Sequence, residues 1–312
     1  MKFALVFPGQ GSQSVGMMAA YGDNPVIRET FQEASDALGE DLWAMVAEGP
    51  AERLALTVNT QPLMLTAGVA VYRAWQQAGG PEPSFVAGHS LGEYSALVAA
   101  GALAFADAVP LVRFRAAAMQ EAVPEGEGAM AALLGLDVEA VEAVCAKVAD
   151  GEIVSAANLN ANGQIVIAGA VAAVERAMEE AKAQGAKRAV KLPVSAPFHC
   201  ALMKPAAERL GERLAEVKLD APRIAVINNV DVAVCEDPAL IRDALIRQAY
   251  APVRWIETVQ SMDEQGVGAV IECGPGKVLA GLTKRIVKEM QGAAVTDADT
   301  LAQAIELAGG KA

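Results

Sequence analysis

The residues of this chain best suited to chemistry lie in Gly88-His89-Ser90-Leu91-Gly92, a Gly-x-Ser-x-Gly pentapeptide. A serine hydroxyl becomes a useful nucleophile when a base takes its proton and fixed N–H groups stabilise the oxyanion that its attack creates. The pentapeptide follows the apolar stretch Phe85-Val86-Ala87 and opens the helix-compatible run Glu93 to Ala100. That context predicts a nucleophile elbow, a strained strand-to-helix turn that projects the hydroxyl above a sheet. Glycines flank the serine because a Cβ there would collide with the neighbouring strand or helix. The first helical turn has N–H groups without intrahelical partners at the positive end of the macrodipole, so the Leu91 N–H is a donor for an oxyanion. Such patterns arise by chance in a chain with 28 Gly, and the strand-turn-helix placement singles this one out.

Other reactive side chains are few. The two histidines are His89 and His199; either could be an ordinary hydrogen-bonded core residue, and His89, inside the elbow, is expected to point away from the nucleophile. Cys145, Cys200, Cys235 and Cys273 lack metal-ligand spacing and read as reduced, packed side chains. The loop Pro8-Gly9-Gln10-Gly11-Ser12-Gln13 fails the dinucleotide fingerprint, having Ser14 where its last glycine belongs, and Gly274-Pro275-Gly276-Lys277 is followed by Val278 where a phosphate loop needs Ser or Thr.

An elbow needs a sheet, and composition allows one. With 312 residues, 53% hydrophobic and 20% charged, the chain can bury a sizeable core. Abundant Ala, Val and Leu with few aromatics suit apolar strands alternating with Ala-rich helices, an α/β architecture. The net charge of -13 argues against nucleic acid or an anionic membrane as partner, since both need a basic surface. No run approaches the roughly 18 apolar residues of a membrane span, and Phe3 to Phe7 is too short for a signal-peptide core. A cytoplasmic protein is expected.

Phe3 to Phe7 reads as a buried parallel strand whose carboxyl end carries the Gly9-Gln10-Gly11 loop, the end at which open α/β sheets bind ligands. Thr60 is the expected cap of a helix with Pro62 in its first turn, stopping at Gly79-Gly80-Pro81. Asp107 is expected to cap another, with Pro110 in its first turn and Arg113, Arg115 and Met119 along it. From Ala129 the pattern becomes strand (Ala129 to Leu134), helix (Val138 to Val148), strand (Ile153 to Ala157), strand (Gln164 to Ala168), helix (Val171 to Gln184), strand (Arg188 to Leu192). That order is a ferredoxin-like split βαβ, read as a small domain inserted at 128–194 between two segments of a larger one, 1–127 and 195–312. A strand Ile224 to Asn228, a helix Pro238 to Ala249, a strand Ala269 to Cys273 and a helix Val278 to Lys288 complete the larger sheet. The tail after Gln291 is Ala-rich and is expected to pack loosely or fray.

Together, Gly9-Gln10-Gly11-Ser12-Gln13, Gly88-His89-Ser90-Leu91-Gly92-Glu93, Arg115, Ser195-Ala196-Pro197-Phe198-His199, Gln248 with Pro252-Val253-Arg254-Trp255, and Gly274-Pro275-Gly276 resemble the malonyl-CoA:acyl carrier protein transacylases of fatty-acid synthesis and the related acyltransferase domains of polyketide synthases. The resemblance spans nearly the whole chain. It implies a hydrolase-like α/β core with a ferredoxin-like insertion and a site in the cleft between them. By position it makes Ser90 the nucleophile, His199 the general base, and the N–H groups of Gln10 and Leu91 the oxyanion hole. It makes Arg115 the reader of the malonyl carboxylate, with Gln61 lining the site, and has the Gln248 backbone carbonyl orient His199. Phe198 before the histidine and Leu91 after the serine fit a preference for malonyl over methylmalonyl.

The implied reaction is ping-pong acyl transfer from malonyl-CoA to the phosphopantetheine thiol of acyl carrier protein, without metal or other cofactor, by a monomer. Because that carrier is acidic and this chain is acidic overall, docking calls for a local basic patch; Lys187, Arg188, Lys191, Lys284, Arg285 and Lys288 are the candidates. Two rivals stand beside this reading. An α/β-hydrolase-type esterase or thioesterase shares the elbow but usually runs Ser, acid, late His, and a non-catalytic carrier-binding module would need neither Ser90 nor His199.

Overall fold

Residues 1–309 are described by a computed structural model. The apolar run near the amino terminus forms β1 (Lys2–Phe7), the centre of a five-stranded parallel sheet with β2 (Phe85–Gly88), β7 (Ala225–Ile227), β8 (Val267–Cys273) and β9 (Gln291–Val295) in the order β7-β2-β1-β8-β9. Alternate residues of β1 serve two cores. Phe3 and Phe7 meet Trp75 and Tyr72 of the helix Thr57–Gln77, with ring centroids 5.8 and 6.3 Å apart. Ala4 and Val6 face the other way, into a cluster with Trp255, Val259, Met262 and Leu279. Burial on both faces explains why the strand is a continuous apolar run rather than an alternating one.

The middle of the chain forms β3 (Gly128–Leu134), β4 (Val154–Ala161), β5 (Gln164–Ala170) and β6 (Arg188–Lys191), an antiparallel sheet ordered β4-β5-β3-β6. Helices Val138–Val148 and Val171–Ala183 alternate with these strands and share an apolar cluster with them. Backbone bonds fasten this sheet to the larger unit: the Leu159 N–H donates to the Val253 carbonyl, and the Val253 N–H to the Ala157 carbonyl, both at 2.9 Å.

Three sequence expectations need correction. The helix expected from Thr60 begins at Thr57, with Leu56 as N-cap, and Pro62 lies inside it. Thr60 is not a cap because its hydroxyl donates to the carbonyls of Leu54 and Leu56, closing the turn from the preceding short helix. Asp107 is likewise not a cap: the helix Phe105–Glu121 starts from Ala104 with no side-chain cap, and Asp107 lies in its first turn, where a carboxylate complements the dipole. The tail does not fray within the described residues. β9 adds a parallel edge strand to β8, and the helix Ala298–Leu307, closed by a capping box of Asp297 and Thr300, buries Leu301, Ala304 and Ile305. Among the described residues no helix is long and apolar enough to cross a membrane.

Candidate active site

The loops that follow β1, β2 and β7 at their carboxyl ends bring Gln10, Ser90 and Asn229 to one edge of the sheet. Ser90 sits at the tip of the elbow with φ +52°, a left-handed backbone that residues other than glycine seldom adopt. The turn can be that sharp only with glycine on each side. A Cβ on Gly88 would run into the backbone of Gly92 and Glu93, and one on Gly92 into the Phe7 carbonyl. Leu91 is the N-cap of the helix Gly92–Ala99. Neither its N–H nor that of Gln10 has a hydrogen-bond acceptor among the described residues, so both remain available to an oxygen in the cleft.

The exit from β6 delivers His199 to the serine. His199 is 3% exposed, has φ +60°, and places Nε2 2.7 Å from Ser90 Oγ. Its Nδ1 is 2.9 Å from the Gln248 carbonyl, an acceptor that fixes the tautomer with the proton on Nδ1 and leaves Nε2 free to take the serine proton. Burial, and then the positive charge of Arg115, push the His199 pKa down to about 3. The ring is therefore neutral near pH 7, as a base must be.

Arg115 and Arg113 share a helix but not a role. Arg113 pairs with Glu40 through two bonds of 2.9 and 3.1 Å away from the serine. Arg115 is 1% exposed and donates to Gln61 Oε1 at 2.8 Å, to Gln248 Oε1 at 2.9 Å and to Ser90 Oγ at 3.2 Å. Both glutamines hold the guanidinium beside Ser90. Phe198, Gln61, Gln10, Leu91 and Arg115 line one cavity of about 110 Å³ with Ser90 and His199. His89 borders it too, but its Nε2 is 2.8 Å from Asn160 Oδ1 and its ring is 5.7 Å from that of Trp255, so it joins the elbow to β4.

Several residues of the site were given no site role by the sequence. Met119, Met130, Asn158, Leu192 and Val194 complete the wall, four of them from β3, β4 and the exit of β6, so the small sheet closes the cleft over the serine. Asn229 accepts from the Ser90 N–H, and Glu93 accepts from the Asn229 N–H. The available signal was position: Asn228-Asn229 follows a strand at the carboxyl edge where ligands bind.

The six basic candidates are all exposed. Lys191 pairs with Glu175 at 3.3 Å. Arg285 donates to Gln164, whose β3 partner Leu134 pairs in turn with Arg188, so Gln164 and Arg188 stand two strands, about 10 Å, apart at one end of the small sheet. Cys145, Cys200 and Cys273 are buried and Cys235 half-buried, all as free thiols. Among the described residues no cluster of His, Cys, Asp or Glu could hold a metal.

Residues 4–304 match the family described as the acyl transferase domain. The chain belongs to the acyl transferase family. Within it, a malonyl CoA-acyl carrier protein transacylase of Escherichia coli K12 is 56% identical over 307 residues, 98% of this chain and 99% of that protein. An acyl-carrier-protein S-malonyltransferase of Burkholderia pseudomallei 1710b superposes with a TM-score of 0.97 at 63% identity, covering 98% of this chain and 100% of that one. A malonyl-transacylase solved in complex with a type II PKS acyl-carrier protein superposes with a TM-score of 0.97 at 55% identity over 98% and 100% of the two chains. This acyl transferase therefore shares its length and its fold with proteins that carry both substrates in their names.

Proposed function

We propose that this acyl transferase moves a malonyl group from CoA to the phosphopantetheine thiol of acyl carrier protein in fatty-acid biosynthesis, through an ester on Ser90. The observation that carries the reading is Arg115, a buried guanidinium 3.2 Å from the Oγ of a serine paired with a histidine. A general esterase has no use for a buried cation beside its nucleophile, whereas a malonyl group brings a carboxylate to meet it.

His199 Nε2 takes the Ser90 proton as Oγ attacks the thioester carbonyl, and the N–H groups of Gln10 and Leu91 receive the oxyanion. The C–S bond breaks, His199 returns the proton to the CoA sulfur, and the malonyl ester remains on Ser90. The carrier thiol enters by the same steps in reverse, losing its proton to His199 and displacing the serine. Gln248 orients His199 and Arg115, and Phe198 limits the room beside the acyl α-carbon. The architecture is read as a hydrolase-like domain of residues 1–127 and 195–312 with a ferredoxin-like insertion at 128–194, working as a cytoplasmic monomer. The strand orders of the two sheets support that division.

Incubation with malonyl-CoA followed by intact-protein mass measurement tests the reading. A stable malonyl adduct that disappears on addition of holo carrier protein is expected. Rapid release as free malonate would indicate an esterase, and an unlabelled protein a binding module.

The basic groups at the end of the small sheet are read as the docking site for the acidic carrier. Lys284→Glu with Arg285→Glu is expected to raise KM for carrier protein several-fold, by roughly 0.5 to 1 kcal/mol per exposed pair, and to leave KM for malonyl-CoA nearly unchanged. Steady-state kinetics with each substrate varied in turn decides it, and equal effects on both would rule out a docking role.

A further inference from the structure

The turn that exposes Ser90 is clamped by groups that the reaction does not consume. The Ser90 N–H donates to Asn229 Oδ1 at 2.8 Å, and Asn229 Nδ2 donates to the Gly88 carbonyl at 2.7 Å. The Ser90 carbonyl accepts from Gln248 Nε2 at 3.0 Å. The N–H and the carbonyl of Ser90 thus each have a side-chain partner, which helps hold an otherwise unfavourable backbone.

Glu93 stands behind this clamp. It is 2% exposed, and its Oε2 accepts from the Asn229 N–H and from Gln248 Nε2, both at 2.9 Å. A carboxylate in the first turn of a helix is often only a complement to the dipole, but such groups usually face water. This one is buried and binds two residues from two other elements. The Gln248 amide lies between Glu93 and Arg115, with Oε1 toward the cation and Nε2 toward the carboxylate. Rotated by half a turn, it would oppose donor to donor and acceptor to acceptor.

We propose that Asn229 and Glu93 are positioning residues for the nucleophile: Asn229 holds the turn that aims Ser90 Oγ at His199, and Glu93 locks Asn229 and the Gln248 amide in place. The proposal rests on the acyl-enzyme reading and adds to it two residues that touch no substrate.

Two measurements test it, each on variants whose folding is checked by circular dichroism and thermal melting. One is kcat and KM for malonyl-CoA; the other is the rate at which a neutral phosphonofluoridate labels Ser90, a reaction that needs the activated serine but no carboxylate reader. Asn229→Ala is expected to lower kcat and the labelling rate together by about tenfold, the effect of one or two lost hydrogen bonds, with KM within about twofold. Glu93→Gln keeps an oxygen that can accept both bonds and should retain most of both rates, while Glu93→Ala should fall as far as Asn229→Ala. A raised KM with kcat unchanged, or wild-type labelling by Asn229→Ala, overturns the proposal. Should Asn229→Ala not fold, Asn229→Asp takes its place; it keeps the acceptor for Ser90 but opposes an oxygen to the Gly88 carbonyl, and wild-type labelling would again overturn the proposal. A wild-type protein that takes the phosphonate but no malonyl group would refute the transacylase reading and leave the positioning test intact.

Discussion

Ser90→Ala is expected to abolish the malonyl-enzyme, and His199→Ala to slow its formation by at least ~10³. Ser90 is the only hydroxyl or thiol among the residues lining the cavity, so no neighbour can take over the attack. Without His199, the Oγ proton has no acceptor within hydrogen-bond reach apart from solvent, because the other close contact of Oγ is the donor Arg115. Mass measurement after rapid mixing with malonyl-CoA reads both variants directly, and a Ser90→Ala protein that still gains a malonyl group would assign the nucleophile elsewhere.

The same histidine sets the pH dependence. A buried imidazole with its pKa lowered stays in the basic form well below the ordinary value of about 6.5, so kcat/KM should hold its plateau under pH 6 rather than fall with a free histidine. Removing the Arg115 charge takes away the second cause of the lowering, and the acid limb should move up in Arg115→Ala. Stability is lost on the same acid side. Because the folded pKa lies below the unfolded one, the contribution is complete above about pH 6.5 and is lost as pH falls toward the folded value.

The elbow was legible in the sequence because its constraint is steric and local: two glycines that cannot carry a Cβ, after an apolar strand and before a helix. β1 and the helix Val138–Val148 were legible for similar reasons, a run apolar on both faces and a clean period bounded by Asp137. The tail was not. Gln291–Val295 is built of small residues that resemble loose linker, yet smallness is what its place demands, since a Cβ on Gly292 would strike the carbonyl of Ala280 in the helix Val278–Ile286. The false cap at Thr60 has a related origin. A hydroxyl that accepts from a helix N–H and one that donates to a preceding carbonyl look alike in sequence, and only the packing of the short helix Ala51–Ala55 decides between them. Pairing of residues distant in the chain was also beyond local pattern. Ser90, Asn229 and Gln248 meet because β2 and β7 are neighbours and the helix Pro238–Gln248 ends beside them; the family resemblance, not the spacing, supplied His199, Arg115 and Gln248.

Arg115→Ala is expected to reduce kcat/KM for malonyl-CoA by about 10² or more while sparing or improving acetyl-CoA. The two thioesters differ by one carboxylate. Arg115 is held by the neutral amide oxygens of Gln61 and Gln248 and has no carboxylate in direct contact among the described residues, because Glu93 lies on the far side of the Gln248 amide. A malonyl group would supply that missing partner in a site where water screens little, and two parallel N–H···O bonds would fix its carbonyl over Ser90. An acetyl group leaves the cation as it is. Breaking a buried charge pair from one side costs about 3 to 5 kcal/mol, and even the ~2.7 kcal/mol that survives partial access of water corresponds to a hundredfold. Arg115→Lys should fall between, since one ammonium cannot hold both amides and a bidentate carboxylate at once. Removing the guanidinium also strands two amide oxygens, so each variant must be compared at matched folding, and the malonyl-to-acetyl ratio rather than either rate is the decisive number. A ratio unchanged from wild type in folded Arg115→Ala would mean that the carboxylate is read elsewhere in the cleft.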